Sequence, residues 1–190
     1  MDLNWKLAKL SKTLKQTSEN RDSNAAVVLL LRVVDQELQV LFVKRAKDPT
    51  DTWSGQTAFP GGKRELKDFD IKATIMRETF EEIHLNLLEG YLFLGSMEPL
   101  RSVEKPELKI LPFVVLQKKE QTIELNGELT EYFWSSLSEL DPHKGTAKLR
   151  LGEFPAYNIG KHVIWGLTYR ILRNLLSMLS VIEKEQPRDN

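Results

Sequence analysis

Cysteine is absent from this chain of 190 residues. That excludes disulfides and thiolate metal sites, so any bound metal must use oxygen or histidine ligands, and it agrees with a reducing, cytoplasmic setting. Charge of one sign is not in excess either: Lys plus Arg and Asp plus Glu each total 27, and no overall basicity argues for a nucleic-acid partner. Long apolar runs are missing too. The longest, residues 25–31, falls far short of the roughly 20 residues a membrane-spanning helix needs, so no membrane partner is expected. Residues 1–24 alternate lysines with leucines and have no apolar core of the kind that marks a signal peptide, so secretion is not expected. What remains is a chain of 41% hydrophobic content, enough for one substantial core and one main domain at residues 25–183. An N-terminal helix and linker, 1–24, and a tail at 184–190, disordered by composition, flank it.

Leu3, Leu7, Leu10 and Leu14 recur at helical spacing and predict an amphipathic helix packed on the domain, followed by a polar stretch at 17–24. Residues 25–34 and 38–45 are rich in leucine and β-branched residues and read as a hairpin about Asp35, Gln36 and Glu37. A loop at 47–53 and an extended segment at 56–59 follow, ended by Pro60, Gly61 and Gly62. Ile71, Ile75, Phe80 and Ile83 predict a helix over 71–83 with one buried face. Strands are expected at 91–97 and 109–116, joined by a charged loop, then at 122–125 and 131–134 around Asn126 and Gly127. A short helix at 135–140, an irregular stretch at 144–159 and a long amphipathic helix at 163–182 complete the reading.

Glu78, Glu81 and Glu82 stand at i, i+3 and i+4, so a helix gathers three like charges on one side. Such a cluster costs stability unless something positive neutralises it, and a hard divalent cation held by oxygen ligands does so. An ordinary solvated helix face is the plain alternative. The preceding Phe59-Pro60-Gly61-Gly62 and the strand order around it weigh against that.

Read together, Gly62, Arg77-Glu78, Glu81-Glu82 and Leu85 resemble the Nudix box of the Nudix hydrolase superfamily, Gly-x5-Glu-x7-Arg-Glu-U-x-Glu-Glu-x-Gly-U with U aliphatic. The interval from Gly62 to Arg77 is one residue longer than the pattern, which puts Phe69 at the place of the first glutamate, with Asp68 beside it. Thr79 replaces an aliphatic residue and His84 a glycine. The resemblance implies an α/β fold, a mixed sheet sandwiched between helices, and hydrolysis of a nucleoside diphosphate linked to another group, with Mg2+ or Mn2+ as cofactor. It implies metal binding by Glu78, Glu81 and Glu82, one of which also serves as general base. Arg77 would orient the acids through a salt bridge. A further acid, water-activating or metal-binding, is expected at Glu128, with Glu131 as competitor. A homodimer is a family-level expectation.

Upstream, Arg45-Ala46, Gly55 and Phe59 to Gly62 are similar to the signature of the coenzyme A diphosphatase branch. That signature's second arginine is missing, Thr50 standing near its place, and the interval from Arg45 to Gly55 is one residue longer. Coenzyme A or a derivative is thus the leading substrate. ADP-ribose, a dinucleotide or a nucleoside-diphosphate sugar is the rival, and a non-catalytic ligand-binding module a third reading. Arg45 either binds a substrate phosphate or ends a strand in water. Trp53 and Trp165 stack on a base or pantetheine arm, or anchor loops and core. Gly61 and Gly62 complete the expected substrate-binding set.

Overall fold

The computed structural model describes residues 2–15, 22–51, 53–149 and 152–185. Strands β1 (Ala25–Val34) and β2 (Glu37–Arg45) form the expected hairpin, and Asp35 and Gln36 both adopt positive φ, as a tight turn between right-twisted strands requires. β7 (Lys109–Gln117) lies parallel to β1 on its other side, while β5 (Tyr91–Ser96) runs antiparallel to β7. Short β3 (Thr57–Ala58) and long β8 (Leu129–Ser136) both pair with β2, giving a mixed sheet whose central path is β3-β2-β1-β7-β5.

Strand β1 shows why its sequence is apolar almost throughout. Leu29 and Leu31 point into one core, with Leu10 of α1 (Leu3–Thr13), Leu14 just after it, and Leu172, Leu175 and Leu179 of α4 (Gly166–Glu185). Ala26, Val28 and Leu30 point into a second core, with Ile71, Ile75 and Ile83 of α2 (Ile71–Ile83). A strand covered on both faces loses the alternation of a half-exposed one. The expected sandwich of a mixed sheet between helices is therefore what forms. Helix α1 docks as expected: Lys6 pairs with Glu183, Lys9 Nζ lies 3.4 Å from Glu185, and Lys15 exchanges two backbone hydrogen bonds of 2.9 Å with Ser96.

Several expectations need correction. Gly61 does not end an extended segment but opens a strand, β4 (Gly61–Lys63), paired with β1. Residues 122–125 are not a strand, whereas β8 is longer than expected and runs on to α3 (Leu137–Leu140). The charged loop from 98 to 108 carries a two-residue strand, β6 (Leu100–Arg101), against β7. The region read as irregular holds β9 (Lys144–Leu149) and β10 (Gly152–Ile159), which with β11 (His162–Trp165) make a second, antiparallel sheet. Polar and mixed residues in β9 and β10 leave no apolar run to read. Helix α4 starts after Trp165, not at 163, and includes Lys184 and Glu185 of the expected tail. Residues 186–190 and positions 16–21 of the expected linker lie outside the described residues. No described helix is long and apolar enough to cross a membrane.

Candidate functional site

Helix α2 begins where Asp70 caps it, the Asp70 carboxylate accepting from Ala73 N–H at 2.7 Å. It ends at His84, whose φ of 56° lies in the left-handed region. That is the conformation a glycine would take without strain, which accounts for a glycine in the box pattern at this place. His84 is exposed, and its Nδ1 lies 2.8 Å from the Glu124 carbonyl. Thr79 is fully buried and returns its hydroxyl to the Ile75 carbonyl at 2.7 Å, so a polar residue sits on the core face at little cost. Phe80, read as part of that face, is instead 53% exposed and packs beside His84.

Arg77 is the hub of the acidic group. Its Nε and Nη2 donate to the two oxygens of Asp68, each at 2.9 Å, a bidentate fork. Nη1 donates to Glu78 at 2.9 Å and Glu81 at 2.8 Å, and Nη2 also reaches the Lys63 carbonyl at 3.0 Å. The fork holds the Asp68 carboxyl well below its usual range and raises the Arg77 guanidinium above its own. Phe69 points into solvent, so the acid that answers Arg77 is its neighbour Asp68, one position before the place the pattern assigns.

Glu82 is buried. Its Oε2 accepts from Gly61 N–H at 2.8 Å, and its Oε1 lies 3.9 Å from Arg45 Nη1. Burial, more than any neighbouring charge, pushes its carboxyl up to about 8, and the charges of Glu78 and Glu128 add to the shift. Burial likewise raises Glu78, helped by Glu81 and Glu128 and opposed by Arg77. Gly61 is sterically required here, and Gly62 lets the Glu78 carboxyl pack against the backbone. A Cβ on Gly61 would meet the Ala26 carbonyl oxygen at 2.2 Å, and one on Gly62 would meet the Glu78 carboxyl carbon at 2.4 Å.

A cavity of about 690 Å³ opens on this edge of the sheet, within the size range of ligand sites. Glu78, Glu82, Glu128, Arg45, Gly61 and Gly62 line it. Glu81 does not; it lies on the outer side, bound to Arg77, with Lys67 at 3.8 Å. The structure thus brings Glu128 to Glu78 and Glu82, whereas Glu131 pairs with Lys161 at 2.8 Å away from the cavity. Arg45 does not end in water: Asp51 takes its Nε at 2.8 Å and turns it to the cavity. The sequence does not point to Asp51 as a site residue, since a loop residue six positions on carries no periodic signal.

Among the described residues no three histidine or acidic side chains converge tightly enough to grip an ion as they stand. Arg77 and the Gly61 N–H hold the carboxylates instead, as repelling charges demand. The donor set nevertheless fits a hard divalent cation. It is all oxygen, the missing Gly62 side chain lets the Glu78 carboxyl lie against the backbone, and the Glu78 and Glu82 carboxyls keep a raised proton affinity although Arg77 and Arg45 stand beside them.

The family model of the NUDIX domain matches residues 23–154. The chain is 28% identical over 169 residues to the mitochondrial coenzyme A diphosphatase NUDT8 of Mus musculus, covering 85% of this chain and 80% of that protein. It is 30% identical to the Homo sapiens protein of the same description, covering 84% and 71%. The peroxisomal coenzyme A diphosphatase ndx-8 of Caenorhabditis elegans is 31% identical, over 68% of this chain and 56% of that one. Among solved structures, a Nudix hydrolase from M. smegmatis, RenU, superposes with a TM-score of 0.57 at 14% identity, covering 89% of this chain and 91% of that one. That likeness concerns the fold alone.

Proposed function

Because this chain belongs to the Nudix hydrolase family and is a pyrophosphohydrolase, we propose that it splits the diphosphate of coenzyme A or a coenzyme A derivative, releasing an adenosine phosphate and a phosphorylated pantetheine arm. The observation that carries the catalytic reading is the convergence of Glu78, Glu82 and Glu128 on one cavity. The relatives named as coenzyme A diphosphatases, with Arg45 and Phe59 to Gly62 lining or flanking the same cavity, support the substrate.

Nudix hydrolases generally use divalent metals. In this chain Glu78 and Glu82 of the cavity, joined by Glu81 once it leaves Arg77, would hold Mg2+ or Mn2+, which when bound neutralises phosphate charge and acidifies a water. Arg77 keeps two of those carboxylates oriented, and Asp68 keeps Arg77 oriented in turn. Glu128, exposed at the cavity edge, would take the proton of the attacking water or serve as a further ligand. Arg45, fixed by Asp51, offers a permanently charged fork to a substrate phosphate. Gly61 and Gly62 let the substrate approach the backbone. A cytoplasmic location and a homodimer belong to the same proposal, and cell fractionation and sedimentation check them.

The deciding experiment is product analysis over a panel of coenzyme A, ADP-ribose, a dinucleotide and a nucleoside-diphosphate sugar, with magnesium and with manganese. Coenzyme A is expected to be turned over fastest, and Glu82→Gln to lower kcat about 100-fold or more. Faster turnover of another compound transfers the assignment to it. Tight binding with no turnover of any compound establishes a binding module instead.

A further inference from the structure

The cavity has a second wall that the acidic chemistry does not use. Phe154 of β10, Trp165 of β11 and Leu167 of α4 line it, all only half-buried. The Phe154 and Trp165 rings stand 5.6 Å apart at 43°. Leu167 and, from the loop before β3, Trp53 pack on a floor of Ala25, Leu108 and Ile110. Large rings that stay half-exposed inside a cavity keep apolar surface available to a ligand.

Three polar groups along the same wall each already hold one protein partner. Ser102 Oγ accepts from Lys105 N–H at 3.1 Å, Thr168 Oγ1 donates to the Thr57 carbonyl at 3.2 Å, and Arg170 Nη1 donates to the Arg101 carbonyl at 2.9 Å. Against Phe154, Trp165 and Leu167 themselves, which offer a single indole N–H, a sugar would give up its hydrogen bonds to water with little in exchange. An aliphatic arm would gain burial.

We propose that the wall built by Phe154, Trp165 and Leu167 is the specificity-determining subsite, and that it takes an extended, mostly aliphatic arm attached to the diphosphate rather than a sugar. This rests on the reading of the cavity as a diphosphate site and names the part of the ligand it selects. The matched NUDIX segment ends at residue 154, so Trp165 and Leu167 lie beyond the part of the chain that identifies the family. The acidic chemistry lies within that segment, and two of the wall's three residues lie outside it.

The test compares dephospho-coenzyme A with ADP-ribose by calorimetry on the metal-free protein. Both carry the same adenosine diphosphate, so repulsion from the glutamates cancels in the ratio of affinities and no turnover intervenes. The parent is expected to bind dephospho-coenzyme A about tenfold tighter or more. Trp165→Ala is expected to bring the two affinities to within about twofold, and Trp165→Phe, which keeps a ring, to retain most of the preference. Leu167→Gln, a milder change on the same wall, lowers the preference by itself and serves if Trp165→Ala does not fold. An equal or reversed preference in the parent, or variants that weaken both ligands alike, overturns the proposal. A parent that shows the preference yet hydrolyses nothing keeps the subsite and loses the hydrolytic reading of the cavity; one that hydrolyses diphosphates without the preference does the reverse.

Discussion

Asp68 and Arg77 make the clearest case at the level of single residues. Both are largely buried, with side chains 4% and 13% exposed, and each satisfies the other through two hydrogen bonds. Removing one charge leaves the other short of partners, a cost larger than the net worth of an ordinary hydrogen bond. Asp68→Asn keeps the shape and one acceptor, so it is expected to cost about 2 kcal/mol in chemical denaturation. Hydrolysis should fall as well, because Arg77 no longer stands locked beneath Glu78 and Glu81. Phe69→Glu, which restores an acid where the box pattern has one, should not rescue Asp68→Asn, since Phe69 points away from Arg77 into solvent. The acidic trio and Arg77 were legible from spacing. That Asp68 is the partner was not, because spacing along a loop does not say which of two neighbours turns inward.

Among the elements, α2 joins fold to chemistry. Its start, its end and most of its buried face follow from local rules: an aspartate cap, a β-branched ridge and a left-handed last residue. His84 tests the last of these. A non-glycine residue at φ 56° carries a penalty of about 1 kcal/mol, which the ring contact to Glu124 partly offsets. His84→Gly removes both terms and is expected to leave the midpoint of thermal unfolding nearly unchanged. His84→Ala keeps the strain and loses the contact, and should destabilise by about 1 kcal/mol. A larger loss for glycine than for alanine would show the backbone strain to be negligible. The small sheet of β9, β10 and β11 is hard to read in the sequence because β9 is polar, Pro155 interrupts β10, and the apolar residues of β11 run on into the pattern of α4. Strand β4 is hard to read for another reason: two glycines carry no propensity for a strand, and only the close approach of β1 makes them one.

For the molecule as a whole, the buried carboxyls tie stability to pH and, on the proposed function, to metal. Asp68 is held low, so its contribution is present above the ordinary carboxylate value of 3.8 and disappears as pH falls below it. Glu82 behaves in the opposite sense. Its carboxyl is raised to about 8 from 4.5, so the folded metal-free chain holds that proton more tightly than the unfolded one. The resulting stability is complete below 4.5 and is lost as pH climbs through 8. The metal-free parent is therefore expected to lose stability relative to Glu82→Gln between those values, as thermal unfolding across the range would reveal. Magnesium should restore it and release a proton on binding, seen as buffer-dependent heat. Parallel curves for parent and variant would remove Glu82 from this linkage.

By itself the sequence determined the main helices, the hairpin of β1 and β2, the family and the acidic set, because each is written in short-range pattern: periodicity, turn residues and motif spacing. Tertiary structure alone decided that Glu128 rather than Glu131 faces Glu78 and Glu82, that Asp51 aims Arg45, and that a second sheet supplies the cavity's aromatic wall. Those are meetings between residues far apart along the chain or within loops. Their positions come from how the sheet twists and how the layers pack, which no local pattern records.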